Sequence, residues 1–374
     1  MTTDRRAFLR RTAAASVAAA LPAVPFSSAL AQTAPTRSEF KPVPGDWRTF
    51  DVTTRVDMLM PSGATQVWLP LPSVESDWQR SLTSGFHTNG QARLAEDGRY
   101  GVKMLHVQFD AGVSQPFVEL TSRVSTRNRS ADWAQKSAVA EDAATLRFWT
   151  QPTRLLPTDG IVRATALKAT QGARTDVQKA QAIYDWVVAN TYREPKVRGC
   201  GEGDIKTMLE TGNLGGKCAD LNAIFVGLCR AVGLPARDVY GIRLAPSAFG
   251  YKELSGNPSS LKSAQHCRAE VHLTGLGWVA MDPADVAKVM RLETPEWVKT
   301  TKHPVVAPVN QRLFGGWEGN WLAWNMGHDL KLPGATGPEL GFFMYPIAET
   351  GGERVDPYAP DDFKYQITAV EIKA

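Results

Sequence analysis

One stretch of this chain restricts its fold more than any other. Leu221, Ile224, Phe225, Leu228, Cys229 and Val232 fall at i, i+3, i+4, i+7, i+8 and i+11, the spacing of one apolar face on an α-helix. Gly215-Gly216 precede it, and Gly233 with Pro235 ends it, because glycine closes a helix in the left-handed conformation and proline cannot continue one. The helix is therefore expected to begin at or near Cys218. Strand-like segments follow at Val239–Leu244, Ala269–Leu273 and Trp278–Met281, and Thr274-Gly275-Leu276-Gly277 is a turn that joins the last two as a hairpin. Helices first and antiparallel strands after make an α+β arrangement over residues 155–300.

A cysteine at a helix start has a chemical reading. A free thiol has a pKa of about 8.5, and the unpaired N–H groups and dipole of a helix N-terminus lower it. The preceding glycines let a substrate backbone come close, and the Cys218 N–H itself is placed to help bind a tetrahedral oxyanion. The base for such a thiol is histidine, which alone titrates naturally near pH 7. Of six histidines, His87 and His106 belong to a β-rich N-terminal region, His303 and His328 to irregular stretches, and His272 to the end of a strand. His266 opens the first strand of the hairpin, and the hairpin returns Asp282 to the same end. Cys218 as nucleophile, His266 as base and Asp282 as the carboxylate that orients the base form a consistent set.

The other chemical groups read more plainly. Cys229 lies on the apolar stripe and is expected in the core. Cys267, next to His266 on a strand, points to the opposite face and is expected to be buried. Cys200 sits in the glycine-rich run Gly199–Asp204, where a free thiol or a disulfide, including a reversible bond to Cys218, is equally accommodated. No C-x-x-C pair exists, so neither a structural zinc site nor any other metal is expected, and the thiol chemistry requires no organic cofactor. Glu270 shares a strand face with His266 and His272 and is set to support the site or to pair with Arg268 or Arg243. Arg198 and Asp204 flank the glycine run and border the expected cleft. Trp317, Trp321 and Trp324 read as hydrophobic cover over the core. Gln265 and Tyr192 are candidates for a second oxyanion donor.

The N-terminus is read apart from the fold. Arg5, Arg6, Arg10 and Arg11 precede an apolar, alanine-rich run to Phe26, and Ala29-Leu30-Ala31 offers a small-residue cleavage site. This is the form of a secretory signal, and the paired arginines before Phe8-Leu9 resemble a twin-arginine signal. The run is short of the roughly 20 residues a bilayer span needs. Residues 1–31 carry a formal charge of +3 out of +4 for the chain, so the remainder is nearly neutral, with no basic stripe for nucleic acid and no further membrane-spanning stretch. Residues 32–45, rich in Pro, Thr and Ser, form a linker. Phe50, Val52, Thr54, Val56 and Met58 alternate with their neighbours, as do Val118, Leu120, Ser122 and Val124, so residues 46–135 are an antiparallel β domain. Thr175 and Gln178 form a capping box ahead of a helix whose apolar face is Val177, Ala180, Tyr184, Val187 and Val188. Ile205–Leu209 is a short helix, and residues 301–374 form a C-terminal extension packing on the core.

Three separated blocks carry a resemblance. Gly215-Gly216-Lys217-Cys218-Ala219-Asp220, then His266-Cys267-Arg268-Ala269-Glu270-Val271, then Gly277-Trp278-Val279-Ala280-Met281-Asp282-Pro283 resemble the transglutaminase-like superfamily over roughly residues 160–290. The resemblance implies a papain-like core, with Cys218 as nucleophile, His266 as general base and Asp282 as orienting acid. Arg268 and Ala219 depart from it at positions where many members carry aromatic residues. Together with the export signal, it implies a periplasmic or secreted thiol enzyme acting on a peptide, protein or cell-wall amide through a Cys-linked thioester. An amine acceptor makes it a transglutaminase, and water makes it an amidase or peptidase. A hydrolase of cell-wall peptide crosslinks, or an inactive binding or scaffold protein that keeps the fold, are the other readings.

Overall fold

The computed structural model describes residues 37–134, 140–359, 361 and 363–373. The expected signal, residues 1–31, and the first part of the linker lie outside the described residues. Strands come first: β1 (Arg48–Met58), β2 (Thr65–Pro70), β3 (Gln79–Thr88), β4 (Gln91–Glu96), β5 (Lys103–Phe109), β6 (Phe117–Thr126) and β7 (Arg129–Ser130). Helices α1 (Ala143–Phe148), α2 (Gly160–Ala169) and α3 (Asp176–Asn190) follow. Then come β8 (Tyr192–Arg193), α4 (Ile205–Thr211), β9 (Gly215–Gly216) and α5 (Cys218–Ala231). Strands β10 (Ala236–Arg243), β11 (Gln265–Leu273) and β12 (Gly277–Met281) lead into α6 (Pro283–Leu292) and α7 (Ala307–Arg312). The chain closes with β13 (Gly316–Trp317), β14 (Trp321–Asn325), β15 (Ile347–Thr350), β16 (Glu353–Val355) and β17 (Phe363–Ile372).

The N-terminal strands build two antiparallel sheets, β17-β1-β6-β3 and β16-β15-β2-β5-β4. In β1 every second residue from Phe50 to Met58 is buried, as the alternation predicts. The two sheets share a core, with Val52, Val56, Val118 and Leu120 from one and Val67, Trp68, Leu69 and Leu105 from the other. Part of each sheet comes from the far end of the chain, since β17 pairs along the whole of β1, Val52 opposite Ala369 and Val56 opposite Tyr365, and β15 pairs with β2.

The other half packs helices on the antiparallel sheet β12-β11-β10-β14. The capping box forms as expected: Gln178 N donates to Thr175 Oγ1 at 3.2 Å and Thr175 N to Gln178 Oε1 at 3.2 Å, fixing the start of α3. The hairpin also forms, with Ala269 opposite Met281 and Leu273 opposite Gly277. Helix α5 departs from the expectation of one apolar face, because all fourteen of its residues are buried. Its polar side chains are matched instead of solvated. Arg230 Nε donates to the Ala236 carbonyl at 2.8 Å, and Asn222 Nδ2 to the Cys267 carbonyl at 2.8 Å. A buried polar group without such a partner costs about 1–3 kcal/mol. The helix is therefore enclosed by the elements around it. Among the described residues, no helix is long and apolar enough to cross a membrane.

Candidate active site

Helix α5 begins with Cys218 because the chain before it is held in place. Asp220, in the first turn, accepts from Lys217 N at 2.8 Å and from Glu202 N and Gly203 N at 2.9 Å each. One carboxylate thus caps the helix and staples the glycine-rich run to it. Gly201 must be glycine here: its φ is +90°, and a Cβ would fall 1.8 Å from Asp220 Oδ2. The Cys200 carbonyl completes the clamp by accepting from Ala219 N at 2.9 Å.

The three residues singled out from the sequence meet at this helix end. Cys218 and His266 line one small cavity, and His266, Cys200 and Cys267 all act on the Cys218 thiol. His266, at the start of β11, directs Nε2 to Asp282 Oδ2 at 2.8 Å, which leaves Nδ1 as the ring atom for sulfur. Asp282 follows β12 and is the N-cap of α6, where its Oδ1 accepts from Asp285 N at 3.1 Å. The carboxylate that faces the imidazole is thereby pinned by a helix start. All three residues are buried, Asp282 completely.

Several neighbours were not foreseen. Asp285 Oδ2 lies 3.3 Å from the same His266 Nε2, and Arg243 Nη2 forks both its oxygens at 2.5 and 2.7 Å. Asp285 stands three residues after Asp282 at the head of a helix, and sequence alone reads such an aspartate as a helix-start residue. Asn222 Nδ2 reaches Asp282 Oδ1 at 3.3 Å, and Asn222 Oδ1 accepts from Ala284 N at 3.3 Å. Trp321 Nε1 donates to the His266 carbonyl at 2.9 Å, so this tryptophan positions the histidine backbone in addition to covering the core. Arg268 lies against Asp282, Nε to Oδ2 3.5 Å, with its guanidinium 4.5 Å from the Trp321 ring and 5.2 Å from the Trp317 ring. This cation, which departs from the aromatic that the resemblance implied, is thus itself stacked on aromatics. Glu270 pairs with Arg129 and with Arg237, 2.6 Å to the latter, and not with Arg268 or Arg243. Arg198 pairs with Asp356 at 2.5 Å, while Asp204 caps α4 through Thr207 N at 3.0 Å. All four cysteines are free thiols. Cys200 donates to the Gln265 carbonyl at 3.3 Å, and Cys229 is buried in the core as expected.

The electrostatics favour an ion pair at rest. Burial pushes the Cys218 thiol up, but hydrogen bonds from Cys200, Cys267 and His266 reverse this and hold it well below the ordinary thiol range. The hydrogen bond to Cys218 pushes Cys200 well up, and burial does the same for Cys267. One sulfur of the three therefore takes the charge. Burial and Arg243 work to lower His266, yet Asp285 and Asp282 raise it to about 9. The two opposed shifts favour a thiolate facing an imidazolium. Among the described residues, His266, Asp282 and Asp285 are the group whose donor atoms, within 4.8 Å of one another, come nearest to a cation site. Arg243 and Arg268 already occupy those carboxylates, so the donor set is satisfied by protein cations and does not fit a metal.

A thiol heading a buried helix, an imidazole on the adjacent strand and a carboxylate closing the hairpin define the class of proteins with a transglutaminase-like core. The family model of the transglutaminase-like superfamily matches residues 163–283. An uncharacterised protein of Haemophilus influenzae is 33% identical over 349 residues, which is 87% of this chain and 92% of that one. The solved structure of a candidate cysteine protease from Cytophaga hutchinsonii superimposes with a TM-score of 0.56, covering 89% of this chain and 93% of that one at 14% identity, a likeness of fold. The chain belongs to the transglutaminase-like superfamily.

Proposed function

We propose that this protein is an exported thiol enzyme that acts on amide bonds through a thioester on Cys218. The observation that carries the reading is the His266 ring, which lines one small cavity with the Cys218 thiol and is hydrogen-bonded through Nε2 to Asp282 at 2.8 Å. In the first step the thiolate attacks the amide carbonyl. The oxyanion that forms is met by the Cys218 N–H, at the free end of α5, and by the Gln265 side-chain amide, whose Nε2 is buried with no partner among the described residues. His266 then gives its proton to the leaving amine, and the carbon–nitrogen bond breaks to leave the thioester. Asp282 keeps the ring in place and stabilises its charge throughout.

The thioester passes its acyl group to an amine, as in a transglutaminase, or to water, as in an amidase or peptidase. An extracytoplasmic location rests on the signal-like residues 1–31 and would bring cell-wall peptides and secreted proteins within reach. The test is mass spectrometry of the mature protein incubated with peptide, cell-wall and amine pools, against the Cys218→Ala variant. Products formed by wild type and absent with the variant identify donor and acceptor together. Turnover retained in a folded Cys218→Ala protein would remove the assignment. The rate of Cys218 alkylation by iodoacetamide against pH separates an enzyme from an inert scaffold: an apparent pKa well below about 8.5 is expected, and ordinary cysteine behaviour would favour the scaffold.

A further inference from the structure

A small cavity of about 50 Å³ opens beside the thiol, lined by Cys218, His266 and Gln265 and by three cationic side chains, Arg193, Arg243 and Lys288. A water needs about 10–15 Å³ of such space, so the cavity admits a group the size of a carboxylate and little more. Two of the cations are already matched. Arg243 forks Asp285, and Lys288 Nζ donates to the Glu253 carbonyl at 2.6 Å with Glu253 Oε2 at 3.5 Å. Asp282, the remaining carboxylate of the site, faces His266 and Arg268.

Arg193 is different. Its Nε is buried with no hydrogen-bond partner among the described residues, while the side chain as a whole is half-buried. It is not a loose surface side chain either, because β8 pairs in parallel with β9 and sets Arg193 opposite Gly216, two residues before Cys218. A guanidinium nitrogen buried without a partner costs free energy, and a planar fork of donors is suited to a carboxylate. The resting thiolate and imidazolium cancel each other, so Arg193 remains the unmatched charge of the cavity.

We propose that the amide substrate carries a carboxylate within a bond or two of the scissile carbonyl, and that Arg193 binds it in this cavity. The proposal rests on the thiol-enzyme reading and narrows its substrates to acidic ones, such as amides at a chain terminus or at an acidic side chain. Lys288 supplies a further positive charge at the rim, and the Gln265 amide is left for the oxyanion.

Two alkylating probes that differ only in this respect test it. Iodoacetate carries the carboxylate next to the reacting carbon; iodoacetamide replaces it with a neutral amide. The ratio of their rates at Cys218, measured at one pH and low salt and assigned to Cys218 by peptide mapping, cancels the thiolate fraction. The wild-type ratio is expected to exceed that of a free-thiol peptide by about tenfold or more, and Arg193→Gln to lower it about tenfold while Arg193→Lys keeps part of it, as removal of one buried ionic contact implies. With peptide substrates, Arg193→Gln should cut kcat/KM for carboxylate-bearing amides and leave that for matched neutral amides within about twofold. Equal ratios in wild type and in a folded Arg193→Gln protein, which would mean that the cavity holds water alone, overturn the subsite. The thiol-enzyme reading fails separately, by slow iodoacetamide alkylation of wild-type Cys218 with an ordinary thiol pH dependence.

Discussion

His266 sits between two carboxylates, and that decides how activity should depend on pH. Because Asp285 and Asp282 hold the imidazolium to about pH 9, kcat/KM is expected to fall on the alkaline side near that value as the ring loses its proton. The same shift affects stability. The folded value lies above the ordinary 6.5, so the contribution is complete below about 6.5 and is lost as pH rises through about 9. Asp285→Asn removes one of the two raising groups and leaves Arg243, which opposes the charge. The alkaline limb of the profile should therefore move to lower pH, and the fold should lose about 3–5 kcal/mol because a buried guanidinium is left without its partner. A profile that stays in place in the folded variant would make Asp285 a partner for Arg243 alone. Trp321→Phe keeps the packing but drops the 2.9 Å hydrogen bond to the His266 carbonyl. It should cost about 1 kcal/mol of stability by denaturant melt and lower kcat more than it changes KM. That Cys218, His266 and Asp282 come together was legible because each has a chemical identity and a position on a predicted element. Asp285, Asn222 and Arg243 were not, since their roles come from which side chains the fold brings within 3.5 Å, and no spacing announces that.

Helix α5 and the loop before it behave as one element. Asp220 joins them through three backbone N–H groups, so Asp220→Ala should cost about 2–3 kcal/mol, as loss of a charged acceptor from buried donors does. It should also raise protease sensitivity around Gly199–Asp204. Gly201→Ala places a methyl group where the carboxylate lies, and the expected outcome is the same displaced loop, read as slower Cys218 alkylation. Helices α3, α4 and α5 and the β11–β12 hairpin could be read from periodicity, caps and a turn. The full burial of α5 could not, because Asp220, Asn222 and Arg230 look like a solvent face until their partners are known. Strands β3 and β4 escaped for the opposite reason: most of their side chains are exposed, so they carry no apolar alternation to detect.

At the scale of the whole molecule, two strands far apart in sequence, β1 and β17, are built into one sheet. β17 covers β1 over ten residue pairs, from Thr49 opposite Ile372 to Met58 opposite Phe363. Removing residues 363–373 would leave β1 as a bare edge with Phe363, Tyr365 and Ile367 gone from the core, and such edges pair with other chains. The truncated protein is expected to lose cooperative unfolding and to aggregate, as scattering during a thermal scan would report. None of this was readable from the N-terminal segment alone, whose alternation names its strands but not the neighbour that arrives last. The closure also sets a clock. About 300 residues separate the end of β1 from the start of β17, and at a synthesis rate of about 5–20 residues per second the first strand waits some ~15–60 s for its partner. Through that interval the newborn chain presents an unfinished sheet to everything around it, so its binding by chaperones during translation should peak after β1 emerges and end only when β17 has left the ribosome.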